Sequence, residues 1–175
     1  MSPAQTPAAQ HGLGWLNDLP ADEAVRELRS CCASTAWARE VSEGRPYASE
    51  SAAVESSDAA FAALTEADID EALAAHPRIG ERAQGASREA QWSRSEQSGA
   101  ADADEQIQRE LVAANVAYES KFGHVFLIRA SGRSAAEMLA AAQERLDNDP
   151  AAERVIVREQ LRQITTLRLE RLLER

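Results

Sequence analysis

The sequence predicts an all-α protein, a single compact bundle of about seven to nine helices. Residues that favour helices, namely Ala, Glu, Leu, Arg and Gln, dominate almost every segment, and clusters of β-branched residues are scarce. Apolar positions recur at helical spacing, most clearly at Ile107, Leu111, Ala114, Tyr118 and Phe122. One strand-like run, residues 125–128, is too short and too isolated to build a sheet.

The composition is typical of one soluble globular domain. The chain has 175 residues, of which 44% are apolar and 27% are charged. We expect the domain to occupy residues 15–175, behind a flexible N-terminal tail of residues 1–14 that is rich in Pro, Ala and Gln. No apolar run approaches the roughly 18–20 residues that span a bilayer, and the N-terminus lacks the features of a signal peptide. A cytoplasmic location without a membrane partner is therefore expected.

The charge balance argues against a nucleic-acid partner. The chain carries 19 basic and 29 acidic residues, a net charge of −10, whereas phosphate contacts need a basic face. The two cysteines, Cys31 and Cys32, are adjacent. Because neighbouring cysteines rarely pair with each other, both are expected to be small buried helix residues.

The first half of the chain predicts three helices. Asp18 or Asp22 is expected to cap a helix that runs to about Ser34, and a second helix follows the break at Arg45-Pro46 and covers about residues 50–64. Thr65 and Asp68 form a variant of the capping box and begin a short helix. That helix should stop at His76, because Pro77 disfavours helical geometry for the residue before it.

The second half begins with an expected surface loop over residues 80–94, which are polar and contain glycine. A long helix from about Asp102 should then end at Gly123, and a capping box from Ser134 to Glu137 opens a helix to about residue 146. Asp149-Pro150 supplies an N-cap and a proline at the first helical position for a last helix to about residue 173.

On that last helix Arg168 lies on the apolar stripe formed by Val157, Leu161, Ile164 and Leu172. Helical geometry alone favours a side chain that extends outward along its own stem over one that reaches into a polar pocket.

Two polar segments are candidates for chemistry. The first is His76-Pro77-Arg78-Ile79-Gly80, and the second runs from Ser93 to Gln97 and includes Glu96. A histidine side chain suits proton transfer near neutral pH, and a neighbouring carboxylate can fix its tautomer. Taken alone, however, His76 also fits a helix-terminal histidine that bonds a carbonyl group, and Glu96 and Gln97 also fit a solvated helix start.

Several blocks, in order and with matching spacing, resemble one family over nearly the whole chain. They are Cys31-Cys32 followed by Trp37, Arg45-Pro46, "HPRIGER" from His76, "SEQSG" from Ser95, "NVAYESKFGHVFLIRASGRSAAEML" from Asn115 and "QITTLRLERLL" from Gln163. The sequence is similar to the OHCU decarboxylases, enzymes of urate degradation that act on 2-oxo-4-hydroxy-4-carboxy-5-ureidoimidazoline (OHCU).

This resemblance implies an all-helical, homodimeric decarboxylase that needs no cofactor or metal and yields (S)-allantoin from a small anionic substrate. His76 matches the catalytic histidine, and Glu96 matches the carboxylate next to it. Arg168 matches an arginine that holds an anionic group. Backbone groups of one matching segment are expected to meet the substrate. The substrate-binding residues implied are Pro77, Ser93, Arg94, Ser95, Glu96, Gln97, Phe126, Leu127, Ile128, Arg129, Ala130 and Arg168.

Some positions near these blocks keep a structural interpretation or stay open. Arg78, Glu81 and Arg82 are interpreted as a structural charge network around the loop, and His124 stands at the pocket or on its rim. Three other classes of protein remain as alternatives. They are a hydrolase acting on a related ureide, a helical interaction module, and a carboxylate-bridged metal bundle, which the lack of Glu-x-x-His pairs disfavours.

Overall fold

The computed structural model describes residues 11–81, 85, 87–101 and 104–174. Within these residues the fold consists of ten α-helices and contains no β-strand. The all-α prediction is confirmed, with one helix more than the expected upper number. The helices are α1 (Leu13–Asp18), α2 (Ala21–Leu28), α3 (Thr35–Glu43), α4 (Glu50–Ala62), α5 (Glu66–Leu73), α6 (Arg88–Glu96), α7 (Ser98–Ala101), α8 (Glu105–Phe122), α9 (Ala135–Arg145) and α10 (Pro150–Leu173).

The chain divides into two compact units. The first unit comprises residues up to Leu64 together with the stretch from Thr165 onward, and the second is Thr65–Ile164. A single domain over residues 15–175 stays a prediction. Of the predicted tail, residues 1–10 lie outside the described residues, whereas Leu13 and Gly14 already belong to α1.

The predicted first helix, which was to run to Ser34, is wrong. Neither Asp18 nor Asp22 caps it; α1 ends at Asp18, and α2 begins after Pro20 and ends at Leu28. Pro20 is the reason for the break, because the residue before a proline is driven out of helical geometry, and Leu19 has an extended ψ of 144°. A further helix, α3, follows Ser34, whose hydroxyl accepts the N–H of Trp37 over 3.2 Å.

The first unit is held by an apolar core and by a few buried donors. Trp37 is fully buried and donates from its indole Nε1 to the backbone carbonyl and the hydroxyl of Ser57. Arg45 donates to the carbonyls of Leu16 and Leu19 over 2.6 and 2.8 Å, and so bonds carbonyl groups at the end of α1. Cys31 and Cys32 are buried, as expected, but they lie in the turn that follows α2 and not in a helix, because α2 ends at Leu28.

Local capping chemistry sets the ends of the helices in the second unit. Both capping boxes are present, at Thr65 and at Ser134. Helix α8 ends at Gly123, which has the left-handed φ of 78° that favours glycine. Asp149 accepts the N–H groups of the second and third residues of α10, as expected of an N-cap.

Two boundaries in the second unit differ from expectation. Helix α5 stops at Leu73, almost a turn before His76. The expected loop over residues 80–94 is shorter than predicted, because Ser87 accepts the N–H of Ala90 and so begins α6 at Arg88. Ser93 to Glu96 are therefore helical.

The core of the second unit brings the candidate segments together. It contains Ile79, Ala100, Phe126, Ile128 and Ala130, with residues from α8 and α9 that include Leu111, Tyr118 and Met138. Residues 125–128 form no strand and instead run as irregular backbone through this core. None of the helices in the described residues is long and apolar enough to cross a membrane.

Candidate active site

His76 lies in a short turn just after α5. Its backbone N–H donates to the carbonyl of Leu73 over 3.0 Å, and its side chain and that of Pro77 are half-buried. Three positions later Ile79 is 5% exposed and packs into the core of the second unit. The turn therefore holds Ile79 in the core and leaves the imidazole of His76 partly accessible to solvent.

The segment after His76 is fixed to α8 by charged and polar contacts. Arg78 forms a bidentate pair with Glu119, with distances of 2.6 and 3.1 Å, and also contacts Glu81. Asn115, a buried residue of α8, donates to the carbonyl of Ile79 over 2.7 Å. The structural interpretation of Arg78 and Glu81 is confirmed, whereas Arg82 lies outside the described residues.

Gly80 connects this segment to the second candidate segment. Its N–H donates to Oε1 of Gln97 over 3.0 Å, and Nε2 of Gln97 lies 3.4 Å from the hydroxyl of Ser93. The φ of Gly80 is +91°, a conformation that side chains with a Cβ rarely adopt. The structure thus joins two segments that are well separated in sequence.

The four other positions of this segment differ in exposure. Ser93 and Glu96 are buried, at 5% and 8% exposure, as expected for two positions three apart on one helical face. Arg94 is half-buried and donates to the carbonyl of Gly85 over 2.9 Å, and Ser95 is exposed. A buried carboxylate needs polar partners, and Glu96 does take part in polar contacts.

In the segment 126–130, every side chain except that of Arg129 is buried. The hydrogen-bonding groups of this segment are therefore mainly its backbone N–H and C=O groups. The carbonyl of Leu127 accepts from Arg145 over 2.8 Å, and the N–H of Arg129 donates to Gln160 over 2.9 Å. Within the described part of the chain, the N–H groups of Leu127, Ile128 and Ala130 have no hydrogen-bond acceptor.

A buried polar cluster lies behind this segment. Glu153, with no exposed area, accepts from Nε of Arg145 over 2.8 Å, from the hydroxyl of Tyr118 over 2.5 Å and from Asn148 over 3.0 Å. The guanidinium carbon of Arg145 also lies 4.6 Å from the centre of the Phe126 ring. Burial, followed by the hydrogen bond to Glu153, raises the pKa of the Tyr118 hydroxyl.

Sequence reasoning missed Arg145, Glu153 and Gln160. A signal for Arg145 is present, because it continues the buried stripe of α9 through Met138 and Ala142. A charged residue on such a stripe needs a buried partner.

In the first unit, Arg168 is 6% exposed and makes polar contacts. The prediction that the side chain of Arg168 extends outward into solvent is therefore wrong. Burial of a charged guanidinium is costly unless polar groups or anions surround it. The observed burial agrees with the alternative of a side chain directed into a polar environment.

His124 lines a cleft of about 720 Å³ in the second unit, together with Glu66, Asp70, Phe122 and Arg154 among others. Its Nδ1 lies 3.0 Å from the carbonyl of Val125, and its ring stands edge-on to that of Tyr118. The carboxylates of this cleft are paired with Arg154. The described lining includes neither His76 nor Glu96, so this cleft is distinct from the candidate site.

The described residues contain no group of three or more His, Cys, Asp or Glu side chains arranged to hold a metal ion. Such a group is what the metal-bundle alternative requires, and the described residues give it no geometric support.

Comparisons with known proteins agree with the residue pattern. The family model "OHCU decarboxylase" matches residues 17–170. The "uric acid degradation bifunctional protein TTL" of Arabidopsis thaliana is 39% identical over 149 residues, which are 83% of this chain. The match covers only 46% of the plant protein, so this chain spans about half the length of that relative.

Two solved structures share the fold. One, described as OHCU decarboxylase in the presence of (S)-allantoin, is 35% identical, has a TM-score of 0.74, and is matched over 84% of this chain and 96% of its own. The other, an (S)-allantoin synthase, is 18% identical with a TM-score of 0.68, over 93% of this chain and 54% of its own, and supports the fold alone. Because the family model covers most of the sequence, the chain belongs to the OHCU decarboxylase family.

Proposed function

We propose that this protein decarboxylates OHCU to (S)-allantoin in urate degradation. The observation that carries the proposal is the family match over residues 17–170. It is supported by the bond between Gly80 and Gln97, which holds the segment of the candidate histidine to that of the candidate carboxylate. The proposed function makes the chain a carboxy-lyase.

The chemistry needs no external electron acceptor. Loss of carbon dioxide breaks the bond between the carboxylate carbon and the ring carbon, and the bonding pair stays on the ring carbon. The neighbouring ring imine accepts that pair, which gives an enol-like intermediate. A proton delivered to one face of the former imine carbon, while the hydroxyl-bearing carbon becomes a carbonyl, then fixes a single enantiomer. The protein has to hold the carboxylate out of the ring plane and to move protons.

We assign the proton transfers to His76. In its neutral form the imidazole takes the proton of the substrate hydroxyl and later carries a proton to the former imine carbon. Glu96 is assigned to orient that imidazole and to fix its tautomer. Two structural features support these roles: the half-buried imidazole stands outside any helix, and the carboxyl of Glu96 is buried at the end of α6.

The remaining assigned residues bind the substrate. Pro77, Ser93 and Gln97 are assigned to shape the pocket, and Arg168 to neutralise an anionic group of the substrate. Burial of the guanidinium agrees with that role of Arg168. The main chain of residues 126–130 is assigned to hydrogen-bond the substrate, and the N–H groups of Leu127, Ile128 and Ala130, which have no acceptor among the described residues, support this role. Arg94 and Ser95 stay within the proposed segment without a side-chain role. By its family, the protein is further proposed to act as a homodimer.

The test couples this protein to a urate oxidase and a hydrolase that supply its substrate, and follows the circular dichroism of allantoin together with carbon dioxide release. We expect one enantiomer to form rapidly, with stoichiometric carbon dioxide. His76→Asn should lower kcat by at least about 100-fold, because general acid–base catalysis contributes about 10²–10⁴-fold. His11→Asn is the matched control, because His11 is exposed and lies outside the site.

Glu96→Gln should also slow turnover while the protein keeps its fold. A folded His76→Asn protein with full activity would refute the assignment of the histidine. Racemic allantoin at the spontaneous rate would refute the decarboxylase, and hydrolysis products without carbon dioxide would indicate a hydrolase instead.

A further inference from the structure

We propose that Arg145 and Gln160 are positioning residues that direct the main-chain N–H and C=O of Ile128 toward the substrate. This inference rests on the proposed function and adds two residues to it. Neither residue is assigned a direct contact with the substrate. Each acts by fixing one peptide unit beside Ile128.

The first peptide unit joins Leu127 and Ile128. Its carbonyl accepts a hydrogen bond from Nη1 of Arg145 over 2.8 Å. In a trans peptide the C=O and the following N–H point in opposite directions, because the unit is planar. The contact with Arg145 therefore turns the N–H of Ile128 away from the guanidinium.

The second peptide unit joins Ile128 and Arg129. Its N–H donates to Oε1 of Gln160 over 2.9 Å, and the same planarity turns the carbonyl of Ile128 away from Gln160. The side chain of Ile128 is 4% exposed and is packed in the core. Ile128 thus presents a donor and an acceptor whose directions are set by two neighbours.

The cluster behind Arg145 makes the first of these contacts rigid. Arg145 is 7% exposed and is held by Glu153, which in turn accepts from Tyr118 and Asn148. A charged pair buried in this way has few alternative arrangements, since moving either group would leave a charge unpaired. Polar groups fixed before the substrate arrives lose little free energy to reorganisation during the reaction.

The experiment uses a pair of variants at Gln160, which is half-buried and tolerates substitution better than the buried Arg145. Gln160→Met removes the acceptor at similar size, and Gln160→Glu restores it. Gln106→Met is the matched control, because Gln106 is exposed and its side-chain amide donates to Glu110 on the same helix. The readouts are KM, kcat and the ¹H–¹⁵N signal of Ile128 with and without added (S)-allantoin.

We expect Gln160→Met to raise KM about 3- to 10-fold, the effect of one lost hydrogen bond, and to reduce the allantoin-induced shift of the Ile128 signal. Gln160→Glu should restore both, and Gln106→Met should match the wild type. Arg145→Lys, which keeps a cation opposite Glu153 but loses the second donor, should change the Ile128 signal in the same way.

An active wild type with an unchanged KM and Ile128 signal in Gln160→Met would overturn the positioning role and leave the proposed function standing. An inactive wild type whose Ile128 signal still responds to (S)-allantoin, and loses that response in Gln160→Met, would overturn the reaction but support the positioning.

Discussion

Replacing Arg145 by methionine removes the cation from a pair whose carboxylate, Glu153, has no exposed side-chain area. Nε of Arg145 lies 2.8 Å from Oε1 of Glu153, and Nη2 lies 2.6 Å from the same oxygen. Breaking a buried pair from one side costs about 3–5 kcal/mol, because a charge is left buried without its counterion. Tyr118 and Asn148 still donate to the remaining carboxylate. We therefore expect Arg145→Met to lower the free energy of unfolding by about 3 kcal/mol, the lower end of that range.

For a chain of this length, 1 kcal/mol corresponds to about 2–4 °C in the melting temperature. Arg145→Met should thus melt about 6–12 °C below the wild type, measured by far-ultraviolet circular dichroism and by urea unfolding. Adding Glu153→Leu should recover part of the loss, since the unpaired charge is then gone. Arg154→Met is the matched control, because it also removes an arginine from an ion pair. Its partners Glu66 and Asp70 are largely exposed, so the loss in the free energy of unfolding should stay below about 1 kcal/mol.

An Arg145→Met protein that is as stable as Arg154→Met would show that the buried charge of Glu153 costs little when its counterion is removed. A double variant that is no more stable than Arg145→Met would likewise contradict the prediction, because the cost would then come from lost packing and not from the buried charge.

Three further predictions concern Gly80, Asn115 and the two tyrosines. Gly80→Ala should lower the free energy of unfolding by about 1–2 kcal/mol and raise KM, because φ is +91° and the new Cβ would lie 3.3 Å from Cδ2 of Leu111. A variant with unchanged urea unfolding and unchanged KM would contradict this. Asn115→Ala should lower the free energy of unfolding by about 1–3 kcal/mol, because the carbonyl of Ile79 loses its donor. A decrease below about 0.5 kcal/mol in urea unfolding would mean that the carbonyl finds another donor. Burial raises the pKa of both tyrosines, Tyr47 and Tyr118, above the ordinary value of 10. Their contribution to stability is therefore complete below pH 10 and is lost as the pH rises above it. In an absorbance titration the tyrosines of the folded protein should ionise at a higher pH than those of the urea-unfolded chain, which ionise at about pH 10; coincident titration curves would contradict this.

The sequence predicted those features that depend on chemistry local to the chain. The capping boxes at Thr65 and Ser134 and the stop at Gly123 need only residues a few positions apart, and all three are present. The start of α6 was missed because polar residues around Ser87 hide the short apolar signal of that helix. Polar composition alone did not distinguish a surface loop from a helix that buries only Ala90, Ser93 and Glu96.

Features that depend on distant partners were not predictable in the same way. The burial of Arg168 is set by the residues that cover it, which helical spacing does not reveal. The pair of Arg145 and Glu153 joins two helices, and Gln160 reaches a backbone N–H 31 positions away. Candidate residues His76 and Glu96 came from the family pattern; their residue types alone fitted ordinary helix ends equally well.

The two buried thiols give the chain a built-in reporter of cooperativity. Cys31 and Cys32 are at most 1% exposed, both belong to the first unit, and the sequence has no other cysteine. A thiol reagent can therefore label only molecules in which the first unit has opened, and its rate under native conditions measures the free energy of that opening. If this free energy of opening equals the free energy of unfolding measured by the loss of the helical circular dichroism signal, both units unfold together. A smaller value would mean that the first unit opens on its own while the helices around His76 stay folded.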